Sequence, residues 1–430
     1  MSIPIFSRRG FLKAAALSSA AFALPRQMRG QTTGLTPNDQ LNVALIGNGL
    51  ICGDHIEALL GRDDCRIVAV CDVNLAKARK MRDRAEKHYR ALAAGAAFRR
   101  VDVYQHHEAV LEQPDIHAVF VTVPDHWHAA IANAAMIAGK DVYCEKPLTL
   151  TVPEGRVLVN TARRYGRILQ TGTQQRSNGS FRKAAEIVRN GLIGDIKFVR
   201  TRLGEFPLPP ALPEQPLPAE FDYDRWLGPT PWRPYNEKRV QGDYGGGWRC
   251  FTEYGGRKNG DWGAHHFDII QWALGMDDSG PVEFIPKGFE GTPYQAHVYA
   301  NGVKVERVDE GLKAMIEFTG TKGTVWVSRD DYLETNPPGL ATRPLRSDEV
   351  HLYASDNHHS NFFSCIRTRQ RPIADVEIGH RSATVGHLAN IAEQLKRPIR
   401  WDPVQEKIVG DPVASALIDR SRRAPYGSLL

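Results

Sequence analysis

The stretch that decides the fold is residues 43–53, which read VALIGNGLICG. A short apolar run ends there at a glycine-rich turn, and a helix-like pattern follows. Gly47 and Gly49 occupy the first two glycine positions of the G-x-G-x-x-G dinucleotide fingerprint, and Cys52 occupies the third, with Gly53 beside it. The first glycine permits a tight turn, and the second lets the backbone approach a pyrophosphate at a helix N-terminus. Because cysteine is small enough to replace the third glycine, the stretch predicts a dinucleotide site.

Strand-like and helix-like patterns alternate after this turn. Apolar strand runs at 43–46, 67–71, 118–123 and 141–144 are separated by helical stretches at 55–60, 75–94 and 129–138. Continuous apolar strands between amphipathic helices are typical of a parallel sheet with helices on both faces. We therefore predict an α/β protein whose N-terminal domain, residues 38–165, is an NAD-binding Rossmann domain built on a doubly wound parallel sheet.

The pattern changes beyond residue 170. Residues 205–220 are rich in proline and predict a loop. Residues 313–318 and 323–327 predict two antiparallel strands around a tight turn. We therefore predict that residues 166–430 form an α+β domain with a largely antiparallel open sheet, which binds the substrate and assembles the protein into a homodimer or homotetramer.

The second apolar strand run indicates which dinucleotide is bound. Asp72 ends this run, where a carboxylate can bind the ribose hydroxyls and repel a 2′-phosphate. NAD is therefore favoured over NADP. The predicted cofactor contacts from this part of the chain are Gly47, Asn48, Gly49, Leu50, Ile51 and Asp72. The alternative is a doubly wound domain whose glycine turn binds nothing.

Composition excludes several classes of protein. The chain has 430 residues, of which 42% are hydrophobic, and its 55 basic and 49 acidic residues give a net charge of +6. Its 38 glycines and 27 prolines are too few for a low-complexity or collagen-like chain. Because no block of lysine and arginine is interleaved with aromatic residues, nucleic acid is not an expected partner.

The N-terminus carries a candidate export signal. Residues 7–13 read SRRGFLK, and a weakly apolar run at 14–24 follows, too short to span a bilayer. The stretch resembles a twin-arginine (Tat) signal, which predicts that residues 1–30 are a signal peptide and linker recognised by the Tat export machinery. The protein would then be periplasmic or otherwise exported, with no stable membrane span after processing. The alternative is a basic N-terminal helix in a cytosolic protein.

The six cysteines fit this interpretation without forming disulfides. Proteins that use the Tat route fold in the cytosol before they cross the membrane, so they do not need disulfides to fold. A chain of this length also needs no cross-links to stabilise its core. The sequence contains no C-x-x-C pair, and we expect no metal site.

Three further segments carry candidate catalytic chemistry. They are TVPDHWH at 122–128, EKP at 145–147 and DWGAHHFD at 261–268. In this order after a dinucleotide turn, they resemble the Gfo/Idh/MocA oxidoreductases, over about residues 40–430. Segments at 172–176, 226–229 and 379–382 extend the resemblance.

This resemblance implies roles for particular residues. It makes Lys146 the catalytic lysine, His265 the proton acceptor and Asp261 the acid of a D-x-G-x-H-x-x-D segment. It implies cofactor contacts at Thr122, Pro124, His128, Glu145 and Lys146. It implies substrate contacts at Gln174, Arg176 and Trp262.

The physical chemistry of alcohol oxidation agrees with these roles. The reaction needs a hydride acceptor, a base for the hydroxyl proton and a cation near the developing alkoxide. Lys146 follows a strand at the carboxyl edge of the predicted sheet, where ligands bind in open α/β folds. Asp261 precedes His265 by four residues, which places both side chains on one face of a helix. We therefore expect the Asp261 carboxylate to orient the His265 imidazole and raise its basicity.

These observations predict an NAD-dependent oxidoreductase. It would transfer hydride between a secondary alcohol of a sugar or sugar derivative and a tightly bound nicotinamide cofactor. One alternative is an NAD-dependent glycoside-cleaving enzyme, which oxidises a sugar transiently, eliminates the aglycone and returns the hydride. A second alternative is a non-catalytic NAD-binding protein. Residues 205–220 and 226–235 are expected to shape specificity.

Overall fold

A computed structural model describes residues 40–93 and 98–428. The first sheet has six parallel strands in the order β3-β2-β1-β4-β5-β6. These strands are β1 Leu41–Ile46, β2 Cys65–Cys71, β3 Asp102–Tyr104, β4 Ala118–Val121, β5 Asp141–Cys144 and β6 Leu169–Thr171. The predicted doubly wound parallel sheet is confirmed. The strand order reverses between β1 and β4, and ligands bind at such a switch point in open α/β sheets.

Helices cover both faces of this sheet. They are α1 Leu50–Leu60, α2 Leu75–Ala93, α3 His107–Leu111, α4 Asp125–Ile137 and α5 Val152–Tyr165. Alternate residues of β1 belong to different cores, because Ala44 and Ile46 pack with α4 and α5, whereas Val43 and Leu45 pack with α1 and α2. Strand β6 belongs to this sheet although it lies beyond residue 165, where we predicted the domain to end.

The second sheet has nine strands in the order β15-β14-β13-β7-β12-β11-β10-β16-β17. Its strands are β7 Ile196–Thr201, β10 Glu283–Ile285, β11 Gln295–Val298, β12 Lys304–Arg307, β13 Ile316–Gly320, β14 Thr324–Val327, β15 Leu333–Asn336, β16 Ile399–Asp402 and β17 Lys407–Ile408. All neighbouring strands run antiparallel except β7 and β12. The predicted, largely antiparallel sheet is therefore confirmed.

The helices of this second part are α6 Gly179–Arg189, α7 Tyr223–Leu227, α8 Glu237–Val240, α9 Arg257–Asp261, α10 Gly263–Leu274, α11 His358–Thr368, α12 Val376–Leu395 and α13 Pro412–Ser415. Buried residues of α6, α10 and α12 share one apolar core with the second sheet. Helix α11 instead returns to the first sheet, where Phe362 and Phe363 pack beside Phe120.

Residues 205–256, which we call the cover segment, lie across the carboxyl edge of the first sheet. The segment contains a small hairpin, β8 Gly242–Asp243 and β9 Gly246–Gly247, and its own apolar cluster around Trp226, Trp248 and Tyr254. It is joined to the first domain by backbone contacts, including a hydrogen bond from the Asp222 amide to the Val73 carbonyl (2.9 Å).

Three further points concern the export signal, membrane-spanning helices and the cysteines. The N-terminal stretch that we interpret as an export signal lies outside the described residues. None of the helices within the described ranges is both long enough and apolar enough to cross a bilayer. All six cysteines are free and buried.

Candidate active site

The glycine turn that follows β1 has the backbone shape of a phosphate cradle. Gly47 has φ +90°, and a Cβ there would lie 2.7 Å from the Val123 side chain, so both the conformation and the space require glycine. Gly49 directly precedes α1, and a Cβ there would meet nothing within 4 Å. Open space in front of a helix N-terminus suits an anionic group. Cys52 is buried, and burial raises the pKa of its thiol to about 12, so it packs rather than reacts.

Asp72 lies against this turn at the end of β2. Its two carboxylate oxygens accept hydrogen bonds from the backbone N–H groups of Asn48 (2.7 Å) and Asn74 (2.8 Å). Burial raises the pKa of this carboxyl despite the nearby charge of Lys77. The Asn48 side chain is buried, 3.6 Å from the Cys52 sulfur, and is not among the residues that line the cleft.

The segments at 122–128 and 145–147 close the next part of the same cleft. The Thr122 hydroxyl donates to the Gly47 carbonyl (2.5 Å), which ties the end of β4 to the glycine turn. The His128 ring lies between two carbonyl oxygens, those of Pro147 (2.6 Å) and Val123 (2.9 Å). His128 therefore fixes the position of the EKP turn relative to β4.

Lys146 forms an ion pair with Asp261 across the two parts of the molecule. Its ammonium lies 2.6 Å from Asp261 Oδ1, and the two side chains are 15% and 14% exposed. Arg249 and Lys258 each approach the same carboxylate to 3.8 Å. Burial alone would raise the pKa of Asp261, but these three cations hold it below the ordinary value. Asp261 is therefore ionised and Lys146 is fixed beside it.

His265 is buried near this pair and has an unused ring nitrogen. The residue is 4% exposed, and its Nδ1 has no hydrogen-bond partner among the described residues. Burial, followed by the charges of Lys146 and Arg329, holds the pKa of His265 well below its ordinary value. These surroundings therefore favour the neutral imidazole.

The expected pairing of Asp261 with His265 is wrong. The expectation rested on sequence spacing alone and did not include the cation that the first domain places beside Asp261. The carboxylate of Asp261 bonds to Lys146 instead, and the charges around His265 lower its basicity rather than raise it.

The three candidate substrate residues are placed differently from one another. Arg176 is 1% exposed and its guanidinium is bound to the carboxylates of Asp268 (2.6 Å) and Asp277 (2.7 Å), so it is a buried structural residue rather than a substrate contact. Gln174 is exposed and is not among the residues that line the cleft. Trp262 is half-buried beside His265, with ring centroids 6.1 Å apart.

The neighbouring motif residues have structural partners. His266 contacts the Thr201 hydroxyl (3.1 Å), and burial lowers its pKa to about 3. Asp268 is fully buried and accepts from Ser382 (2.7 Å) as well as from Arg176. Both residues hold α10 in place.

A buried chain of polar residues lies behind the EKP turn, and the sequence did not predict it. Glu145 contacts the His55 ring (3.0 Å), and the other ring nitrogen of His55 contacts His359 (2.9 Å). A Cβ at Gly172 would lie 2.5 Å from the Glu145 carboxylate, so glycine is required where the chain passes behind it. No sequence signal joins these positions, because the contacts span 90 and 304 residues.

The cover segment also contributes residues to the wall of the cleft that the sequence did not predict. Tyr244, Trp248 and Arg249 line the same cleft as the glycine turn, Asp72, Lys146 and Asp261. The cleft therefore runs from the glycine turn to the Lys146–Asp261 pair, with the cover segment forming one wall.

Comparison with known proteins agrees with this geometry. Residues 41–173 match the Gfo/Idh/MocA profile described as "Oxidoreductase family, NAD-binding Rossmann fold". Residues 207–428, more than half of the chain, match the one described as "Oxidoreductase family, C-terminal alpha/beta domain". The chain belongs to the Gfo/Idh/MocA oxidoreductase family.

Individual members of the family show how far the similarity extends. Inositol 2-dehydrogenase 1 of Saccharopolyspora erythraea is 31% identical over 196 residues, which cover 44% of this chain and 54% of that protein. Inositol 2-dehydrogenase 2 of the same organism is 24% identical over 322 residues, covering 72% and 79%. The chain spans about half the length of several curated relatives that it matches.

Solved structures share the fold. Aldose-aldose oxidoreductase from Caulobacter crescentus, crystallised with glycerol, gives a TM-score of 0.57 at 18% identity, with 84% of this chain and 99% of that chain covered. The NAD-binding Rossmann domain of this Gfo/Idh/MocA protein thus has the glycine turn and the acidic strand end that a dinucleotide requires.

Proposed function

We propose that this protein is an NAD-dependent dehydrogenase that transfers hydride between a secondary alcohol of a sugar or sugar derivative and a tightly bound NAD. The observation that carries the proposal is the Lys146–Asp261 pair at one end of the dinucleotide cleft, with the buried His265 near it. The inositol 2-dehydrogenases named above support a polyhydroxylated substrate.

The bound cofactor would supply the hydride acceptor, and the protein would supply the proton chemistry. The Lys146 ammonium is fixed by Asp261, so it can stabilise the negative charge that develops on the substrate oxygen. We assign the hydroxyl proton to His265, because its surroundings keep the imidazole neutral and its buried Nδ1 has no partner among the described residues. In the reverse direction, the protonated ring returns that proton.

Asp72 supports NAD rather than NADP. Its carboxylate is fixed by two backbone N–H groups beside the glycine turn, where the adenosine ribose of a dinucleotide lies. Ribose hydroxyls can donate to these oxygens, whereas a 2′-phosphate would meet their negative charge.

The cover segment supports a second candidate function. Because this segment forms one wall of the cleft, it can retain the cofactor between turnovers. A retained cofactor permits a cycle with no net oxidation, in which a glycoside is oxidised, loses its aglycone and is reduced again. The same Lys146 and His265 would serve that reaction.

A single-turnover experiment tests the proposal. We would purify the protein without added nucleotide, identify what is bound, and follow reduction of bound NAD at the absorbance of NADH with a panel of sugars, inositols and glycosides. The variants Lys146→Ala and His265→Asn should each slow reduction by about 10²–10⁴-fold, the range for a positioned proton-transfer group.

The matched control is His266→Asn, which changes the adjacent histidine on the same helix. Because the His266 ring contacts Thr201, this variant should keep the rate of reduction. Full rates in the Lys146 and His265 variants would contradict the assigned roles. Release of aglycone without net NADH would identify the glycoside-cleaving reaction instead.

A further inference from the structure

Several cations gather at the catalytic end of the cleft. Three cations, Lys146, Arg249 and Lys258, lie within 4 Å of the single carboxylate of Asp261. A fourth cation, Arg329, acts on both Asp261 and His265. Asp125, Glu145 and Glu205 also act on the first three of these cations. The charge without a close partner is therefore that of Arg329, which leaves it available to an anionic group.

Of these four cations, Arg329 has the fewest contacts with carboxylates of the protein. It lies in the turn between β14 and β15, and its guanidinium stacks over the Trp262 ring at 4.6 Å. Within the described ranges its guanidinium forms no hydrogen bond and no ion pair, and the carboxylates that act on it are those of Asp261 and the exposed Asp330. The side chain is half-buried, so an unpaired charge is kept there at a cost in desolvation.

Two further observations place a ligand beside this arginine. His265 is more than nine-tenths buried, and its Nδ1 has no partner among the described residues. Arg329 is not among the residues that line the groove from the glycine turn, so the phosphates of a dinucleotide do not account for it. The unpaired groups therefore belong to the substrate side of the Lys146–Asp261 pair.

We propose that Arg329, supported by Trp262, binds a carboxylate of the substrate, so that the preferred substrates are sugar acids such as aldonates or uronates. A guanidinium stacked on an aromatic ring keeps its edge N–H groups free, and this planar edge matches a carboxylate in a bidentate contact. The bound carboxylate would offset the surplus charge around His265. This inference rests on the dehydrogenase function proposed above.

The experiment compares acids with neutral sugars on the NAD-loaded protein. We would measure the dissociation constants of gluconate, glucuronate, glucose and glucose 6-phosphate by calorimetry, and KM and kcat for cofactor reduction with the same compounds. The variants are Arg329→Gln and Arg329→Lys, with Arg346→Gln as a control at an exposed arginine of the same part of the chain. Thermal unfolding of each variant verifies that the fold is kept.

We expect the acids to bind more tightly than glucose, and Arg329→Gln to weaken their binding by about 10- to 100-fold, the effect of losing a hydrogen-bonded charge. Arg329→Lys should recover part of this loss, since it keeps the charge but not the planar edge. The affinity for glucose should not change in any variant, and Arg346→Gln should behave as the wild type.

Equal binding of acids and glucose, or an unchanged acid affinity in Arg329→Gln, would overturn the inference. Tighter binding of glucose 6-phosphate than of the acids would show that the site prefers a phosphate, and would overturn the proposed preference for a carboxylate. If acids bind through Arg329 but no compound reduces the cofactor, the dehydrogenase proposal fails while carboxylate recognition is supported.

Discussion

At the scale of single residues, we expect Asp72 to decide whether the cleft prefers NAD or NADP. Its two oxygens are fixed by the amides of Asn48 and Asn74, so the negative charge cannot turn away from a bound ribose. In Asp72→Ala we expect NAD to bind more weakly and NADP to bind relatively better, which narrows the preference by about 10-fold or more, the range for a lost charged hydrogen bond.

Fluorescence titration of the two reduced cofactors measures this preference. Asp83→Ala is the matched control, because Asp83 is an exposed carboxylate on α2 that pairs with Arg82. If the wild type binds NADPH more tightly than NADH, the role assigned to Asp72 is wrong.

The residue scale also shows which parts of the site a sequence can predict. Gly47, Asp72 and Lys146 each follow a strand of the first sheet, and the carboxyl ends of parallel strands meet at one edge, so local patterns suffice to bring them together. The position of His55 cannot be predicted in this way. Its contacts with Glu145 and His359 depend on how α1 and α11 pack, and no local pattern encodes that packing.

At the scale of elements, local sequence patterns do not predict two features of the site. These are the partner of Asp261 and the position of the cover segment. The spacing of Asp261 and His265 fits one helix, but the Asp261 carboxylate bonds to Lys146, which comes from the first domain. The Pro-rich residues 205–220 were correctly predicted to be a loop. Their position across the cleft depends on distant contacts, such as that of the His126 ring with the Trp226 carbonyl (2.8 Å).

Gly228 of the cover segment packs closely against the Trp127 ring of the first domain. A Cβ there would lie 2.4 Å from the Trp127 ring, and φ is +52°. We expect Gly228→Ala to displace the cover segment and raise the dissociation rate of the cofactor by about 10-fold, since relieving such a clash costs about 1–3 kcal/mol. Displacement of bound NADH by excess NAD, followed by fluorescence, measures this rate.

Gly204→Ala is a matched control for backbone strain. Gly204 also has a positive φ, +69°, and directly precedes the cover segment, but a Cβ there would meet nothing within 4 Å. This variant should keep the wild-type dissociation rate. Equal rates in both alanine variants would show that the contact with Trp127 does not retain the cofactor.

At the scale of the whole molecule, an ionic network joins the two parts that form the cleft. Arg156 of α5 donates to Glu377 of α12 (2.8 Å) and to Glu406, which follows β16 (2.6 Å). Arg381 also donates to Glu377 (2.7 Å), and the His380 ring contacts Glu406 (2.8 Å). The network thus fixes a helix of the first sheet to a helix and a turn of the second part.

This network predicts how stability depends on pH. Burial alone would raise the pKa of Glu377, but Arg156 and Arg381 lower it from 4.5 to about 2. A carboxyl whose pKa is lower in the folded state stabilises the fold above its unfolded pKa, and this contribution is lost as the pH falls through the folded pKa. Stability should therefore decrease between about pH 4.5 and pH 2.

Removal of Arg156 should reduce that dependence, with Arg381 keeping part of it. We expect Arg156→Gln to lower the free energy of unfolding by about 2 kcal/mol at pH 7, because it leaves two carboxylates without their shared partner. As the pH falls below 4.5 and Glu377 becomes protonated, wild type and variant should converge. Urea unfolding at a series of pH values measures this difference, with Arg164→Gln as a control at an exposed arginine on the same helix. A difference between Arg156→Gln and wild type that stays constant down to pH 2 would show that the Glu377 carboxylate does not depend on Arg156, and that apolar packing alone joins α5 to α12.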